Sequence, residues 1–224
     1  MKLLIIIFFL LFCKNLIANE YNFKISALNV PFASISLNFD TNKISTKIKS
    51  KGFVGFFYKF ETLASSLFVK NTVEYNYKRI KKNYEKKLYA FITHGNAQNN
   101  FPNLKHRHGY SKIIKSDLNN VIDPLTAVKQ ILKTGYKKCN FKSKIFDGEE
   151  IYILKLIDNQ IIKNSYKVCT LKYQTVSGHK LKREKKLNNL KLHIYYPLDS
   201  SDISNIYFKT TIKSLPLKMI STTK

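Results

Sequence analysis

The chain is poor in the residues that break or cross-link structure, and poor in acid. It has seven Gly, five Pro and three Cys in 224 residues, and 14 acidic residues against 39 basic ones. So little Gly and Pro excludes a collagenous or low-complexity sequence. No Gly/Ser/Pro-rich linker divides the chain, whose length after residue 18 fits one domain or at most two small ones, and no repeat of fixed period is present. After residue 18 there is no long apolar run, so no later segment reads as a membrane-spanning helix. The nucleophile elbow G-x-S-x-G, the zinc motif H-E-x-x-H and the phosphate-binding P-loop are all missing. No catalytic residue is assigned on sequence grounds. A Ser/His/Asp site assembled only in space is left open.

The one long apolar run lies at the start. Lys2 precedes Leu3 to Cys13, "LLIIIFFLLFC", and "KNLIA" ends in the small residue Ala18. A short positive region, an apolar stretch of 11 residues and a small residue form the pattern of a secretory signal. Lys14 interrupts the run well before the roughly 20 residues a membrane span needs. The expectation is cleavage near Ala18, a periplasmic mature chain, and one domain over 19–224. An uncleaved anchor is the alternative. Lipidation at Cys13 is disfavoured because bulky Phe12 precedes it.

The net charge is +25. Such a surface attracts polyanions: acidic lipid, anionic envelope polymer or nucleic acid. Export and the lack of a nucleic-acid motif argue against nucleic acid. Only Arg79, Arg107 and Arg183 among the basic residues are arginine, the side chain suited to bidentate phosphate contacts. Lysine excess also accompanies the Asn- and Ile-rich composition of AT-rich genomes, so compositional drift is the competing explanation. Two runs stand out as clusters, "YKRIKKNYEKK" from Tyr77 to Lys87 and "KLKREKK" from Lys180 to Lys186. The plain reading of such runs is a solvated face.

Strand patterning dominates. Ala33, Ile35, Leu37 and Phe39 alternate with Ser34, Ser36 and Asn38. Ile44, Thr46 and Ile48 alternate with Ser45, Lys47 and Lys49. Leu190, Leu192, Ile194 and Tyr196 form a third set, and Ile206, Phe208, Thr210 and Ile212 a fourth. A period of two over short stretches predicts strands with one wet face. Turn signals fall near Pro31, over Asp40 to Asn42 and over Tyr196 to Asp202. The stretch Phe53 to Val69 fits either one long strand or a short helix followed by a strand.

One helix interrupts this pattern. Asp123 is an N-cap, Pro124 suits the first helical position, and Leu125, Val128, Ile131 and Leu132 recur at helical spacing. Gly135 is placed to end the helix in the left-handed conformation. The apolar stripe needs a one-sided sheet to cover. "SKIFDGEEIYILKLI" then reads as a hairpin turning at Asp147-Gly148, with Asp147 a turn residue rather than a catalytic acid. The predicted fold is mainly β: a single antiparallel, strongly curled sheet or half-open barrel with one short helix packed on it.

With Cys13 removed, Cys139 and Cys169 remain. An even count in an exported chain predicts a disulfide. A two-residue turn at Asp147-Gly148 would put Cys139 opposite Leu156. Strands flanking a third lie about 9–10 Å apart, too far for a disulfide, whose Cα atoms lie within about 7 Å. Cys139 is therefore expected in the helix exit loop "YKKCN", tying helix to sheet. A metal site is not predicted. The one candidate half-site is "HRH", His106 and His108 about Arg107, and it lacks a nearby third ligand. No cofactor is implied.

The order of these parts carries a resemblance. The signal, "IDPLTA", a cysteine, "FDG" and a second cysteine in "YKVCTLKYQTVSG" resemble the exported bacterial family catalogued as domain of unknown function 3108. The resemblance implies an envelope location and an antiparallel β fold similar to half-open lipoprotein-carrier barrels. It implies no established activity. Glu149 and Glu150 depart from the basic residues that such proteins tend to carry after the FDG turn.

Two functional expectations of different kinds follow. One is a non-enzymatic envelope module that binds an amphiphile such as a lipid, or an anionic envelope polymer, with peripheral membrane contact. The other is a hydrolase of envelope polymer, with a purely structural interaction protein as a third outcome. An apolar cavity would favour the first, and a polar cleft with converging Asp, His or Ser the second.

Overall fold

The computed structural model describes residues 19–98, 108–163, 165–212 and 214–222. The signal segment, His106 and Arg107 lie outside the described residues.

The chain forms one 14-stranded sheet curled into a nearly closed barrel. The first seven strands are β1 (Asn19–Ala27), β2 (Val30–Phe39), β3 (Lys43–Ser50), β4 (Phe60–Val69), β5 (Thr72–Lys81), β6 (Tyr84–Thr93) and β7 (Asn96–Ala97). The others are β8 (Val121–Ile122), β9 (Phe141–Phe146), β10 (Ile151–Lys163), β11 (Tyr166–Ser177), β12 (Lys191–Pro197), β13 (Tyr207–Ile212) and β14 (Leu215–Ser221). Their order across the sheet is β7-β6-β5-β4-β3-β2-β1-β14-β13-β12-β11-β10-β9-β8. Two seven-stranded halves are thus joined where β1 pairs with β14. All neighbours are antiparallel except β8 and β9.

The strands follow from the alternation. Ala33, Leu37, Ile44, Ile194, Tyr196, Ile206 and Phe208 are buried on the inner face, while Ser34, Lys47 and Lys49 point outward. The sheet closes on itself at a seam between β6–β7 and β8–β9. There the Val121 N–H donates to the Gly95 carbonyl (2.7 Å) and Lys86 pairs with Glu149.

Among the described residues, three short α-helices accompany the sheet, where the sequence predicts one and leaves a second open. α1 (Gly52–Phe57) resolves the Phe53 to Val69 stretch as a helix followed by a strand. α2 (Pro124–Thr134) is the predicted helix. α3 (Leu181–Asn188) is the second lysine cluster, folded as a surface helix with none of its residues buried. The first lysine cluster is no undivided charged face. It is the β5–β6 hairpin, turning at Lys82 and Asn83.

Two local expectations need correction. Gly135 does not take the left-handed conformation: its φ is −59° and its ψ −30°. A glycine is needed there because a Cβ would fall 1.9 Å from Cζ of Tyr196. Asp147-Gly148 is not a two-residue turn. Phe146 pairs with Ile151, so the loop spans Asp147 to Glu150. The Asp147 carboxylate explains the extra length, since its Oδ1 accepts from the N–H groups of Glu149 (2.9 Å) and Glu150 (2.7 Å). The register moves accordingly, and Phe141 rather than Cys139 lies opposite Leu156.

Candidate functional site

The helix α2 crosses one mouth of the barrel and is pinned to both halves. At its start, Asp123 is fully buried, and its Oδ1 accepts from the N–H groups of Leu125 (2.9 Å) and Thr126 (3.0 Å) and from the Ser66 hydroxyl on β4. Pro124 occupies the first helical position, where no N–H is required. At its end, the Tyr196 hydroxyl on β12 donates to the Ile131 carbonyl (2.9 Å), and the Tyr196 ring fills the space beside Gly135. The exit loop then carries Cys139 to a disulfide with Cys169 on β11, with Cα atoms 5.6 Å apart. β9 stops pairing with β10 at Phe141 and Leu156, which frees the loop to fold over the end of the sheet. Asp123, Pro124, Gly135, Cys139 and Cys169 therefore act together, fixing the helix as a plug.

Beneath the plug lies a cavity of about 340 Å³. Its roof is the apolar stripe of α2: Leu125, Val128, Ile131 and Leu132. One wall comes from β2 to β5, including Ile35, Leu37, Ile48 and Ala64. The other comes from β11 to β14 and includes Leu171, Leu192, Ile194 and Met219. The lining residues with polar side-chain atoms are Thr46, Thr62, Tyr75 and Tyr77. Burial, followed by the charges of Asp147 and Asp123, pushes the Tyr75 hydroxyl well above its ordinary value, so it stays neutral. An interior of this kind offers a charged group no partner.

Asp147 and Gly148 lie elsewhere, at the seam. Gly148 has φ +94°, and a Cβ there would meet the Tyr89 carbonyl oxygen at 2.5 Å, so the loop is pressed against β6. Behind it sits a polar cluster that sequence reasoning missed. His179 is fully buried beside the stacked rings of Tyr152 and Tyr173. Its Nε2 donates to the Ile151 carbonyl (2.9 Å), and its Nδ1 lies 3.0 Å from Glu150 Oε2 as an ion-pair contact. Both ring nitrogens face acceptors, which favours the imidazolium. Burial opposes that charge, but the Glu150 carboxylate, the Ile151 carbonyl and the Asp147 charge raise the His179 pKa on balance. Neither nitrogen is presented to solvent. The cluster therefore supports the seam. Among the described residues, no group of three His, Cys, Asp or Glu is placed to hold a metal ion.

The cluster makes stability depend on pH with a definite sign. Burial pushes the Asp147 carboxyl up to about 6, against the two backbone hydrogen bonds that lower it and with the Glu150 and Glu149 charges that raise it further. A native pKa above the unfolded value means that the native state holds the proton more tightly. The contribution is full below about pH 3.9 and is lost as pH rises through about 6. His179 has the same sign, with its contribution full below about pH 6.5 and lost through its raised native value. Asp147→Asn keeps an acceptor for the two N–H groups and removes the charge. It is expected to stabilise the protein at pH 7 by about 2–3 kcal/mol, the equivalent of a two-unit shift, with the gain vanishing by pH 4. Urea midpoints of wild type and variant between pH 4 and 8 give the difference curve. A flat difference, or one that grows toward acid, contradicts the assignment.

No protein-family model matches the sequence, and no curated protein matches it. Among solved structures, the chain is similar to a β-barrel-like protein of domain of unknown function DUF1849 from Brucella abortus. The TM-score is 0.51 at 7% identity, over 92% of this chain and 97% of that chain. This likeness shows the fold. It also corrects the resemblance to domain of unknown function 3108. The motif order that suggested that family is not supported by any family match, and the structural likeness is to DUF1849.

Proposed function

We propose that the protein is a non-enzymatic module of the cell envelope that binds an amphiphile, with an acyl chain in the cavity under α2 and an anionic headgroup near surface lysines. The observation that carries this reading is the cavity itself. Its volume is at the lower end of the range for small-molecule sites, which suits a single chain. Its walls are almost wholly apolar, as burial of methylene groups at about 0.8 kcal/mol each requires. The disulfide supports an oxidising compartment outside the cytoplasm.

The two parts of the ligand separate by salt. Chain burial is insensitive to ionic strength, whereas headgroup attraction through exposed lysines fades as the Debye length shrinks to about 3 Å at 1 M. Titration of the purified protein with a fluorescent fatty acid across a salt series is expected to show partial weakening, with binding retained at 1 M. Ala64→Phe, which fills the cavity, is expected to weaken that residual binding by at least roughly tenfold. Complete loss of wild-type binding in salt, or none at any salt, overturns the reading.

A further inference from the structure

Antiparallel alternation places the β1–β2, β3–β4, β5–β6, β11–β12 and β13–β14 connections, and with them the acidic β9–β10 loop, on one rim of the barrel, opposite the mouth that α2 plugs. Exposed large apolar side chains gather on that rim. Leu28 and Val30 lie at the first connection, Phe56, Phe57 and Tyr58 at the second, and Tyr84 at the third. Leu181 follows at the fourth, and Ile212 and Leu215 at the fifth. Phe56 and Phe57 are 84% and 61% exposed, with their rings edge to face. Scattered exposed apolar residues need no explanation, but a concentration of them does.

Cations are interleaved with these side chains. Lys51, Lys59, Lys81 and Lys82 lie at the α1 connection and the β5–β6 turn, and the lysines of α3 follow at the β11–β12 connection. Both lysine clusters of the sequence thus reach the same rim. The opposite rim carries Asp40, Asp199 and Asp202 together with Lys43, Lys70, Lys133, Lys137 and Lys138, whereas on the apolar rim Glu149 is paired with Lys86 and Glu150 with His179. Apolar exposure separates the two rims more clearly than charge, since Val69 and Leu198 are the exposed large apolar residues of the opposite rim among those described.

The cavity also points this way. Its liners nearest α2, such as Leu37, Ala64 and Ile194, are buried. Of its liners toward the apolar rim, Ile35, Ile48 and Leu192 keep partial exposure, while Thr62 beside Ile48 is buried. The helix α2 covers one end of the barrel, and the aromatic and cationic rim lies at the other.

We propose that this rim docks on an anionic phospholipid bilayer. Its aromatic and aliphatic side chains enter the interface, its lysines meet the headgroups, and the cavity mouth faces the membrane. Apolar groups spread over five separate turns around an opening, with cations between them, suit a fluid planar surface better than a peptide that needs one continuous groove. What passes through the mouth rests on the amphiphile-binding reading; the docking itself is measured apart from it.

The test is co-sedimentation with phosphatidylcholine vesicles, with and without phosphatidylglycerol. Wild type is expected to bind the phosphatidylglycerol vesicles. Phe56→Ser/Phe57→Ser should weaken that binding at least roughly tenfold while leaving soluble fatty-acid affinity within about twofold of wild type. Lys59→Ser/Lys82→Ser should weaken it at low salt, and Lys70→Ser/Lys133→Ser on the opposite rim should leave it nearly unchanged. All six positions are exposed, so these variants should keep the wild-type thermal midpoint. Vesicle binding without fatty-acid binding leaves the docking standing and removes the cavity reading. Three results overturn the proposal: no wild-type binding to vesicles, full binding by the Phe variant, or equal loss from the two lysine pairs. Self-association of wild type without vesicles, abolished in the Phe variant, assigns the rim to a second copy and overturns it too.

Discussion

Replacing Cys139 or Cys169 with alanine is expected to destabilise the protein by about 3–4 kcal/mol, the chain-entropy value for a closed loop of 30 residues. The two single variants should be nearly equal, and the double variant should be no worse than either, because one bond is lost in all three. Packing adds little to the difference, since Cys139 is 5% exposed and Cys169 fully buried, and both replacements are small. Denaturant midpoints measure the effect, and reducing agent should bring wild type to the level of the variants. Thiol labelling of unfolded wild type isolated without reductant should find neither cysteine free. Two reactive thiols, or a midpoint indifferent to reductant, would sink the staple. The bond closes the loop that leaves α2, so its loss should also loosen the plug and weaken fatty-acid binding.

The second large effect is expected at Asp123. Its carboxylate caps the helix and also satisfies a buried hydroxyl on another element. Loss of a cap costs about 1 kcal/mol, and a buried donor left without its partner costs a further 1–3 kcal/mol. Asp123→Ala should therefore lower stability by about 2–4 kcal/mol. Asp123→Asn retains an oxygen acceptor in the same place and should lose clearly less. Ser66→Ala placed on the Asp123→Ala background should cost little, because the orphaned hydroxyl is then gone. Urea unfolding of wild type, Asp123→Ala, Ser66→Ala and the double variant gives the coupling. Additive losses from the two alanine variants would mean that Ser66 and Asp123 do not act as a pair.

Much of this framework was legible in the residues, for identifiable reasons. Inner-face positions such as Leu37, Ile44 and Ile194 are set by a period of two, which is local. The cap at Asp123-Pro124 is local too, as is the parity of the cysteine pair. What escaped was set by distant neighbours. Gly135 looked like a left-handed stop, but its role comes from the ring of Tyr196, 61 positions along the chain. The loop at Asp147 lengthened because its own side chain captured two N–H groups in competition with the tighter turn. The lysine clusters hid a hairpin and a helix because charge masks a weak apolar pattern. His179 carried no signal at all, since its meaning depends on Glu150 and Ile151 arriving from another strand. The cavity was half legible: its roof follows from the helical stripe, but its walls exist only once β2–β5 and β11–β14 face each other.

The joint between β1 and β14 has a consequence for how the molecule is made. Each half of the sheet pairs strands adjacent in sequence, so each gains local contacts that form early. The joint is of the opposite kind. Asn22 and Thr222, bonded across it, are 200 positions apart. Until it forms, the halves present β1 and β14 as bare edges, and unpaired edges invite pairing with other chains. The last described strand to emerge during synthesis removes both edges at once. The hazard of aggregation in the growing chain therefore persists until β14 has paired with β1.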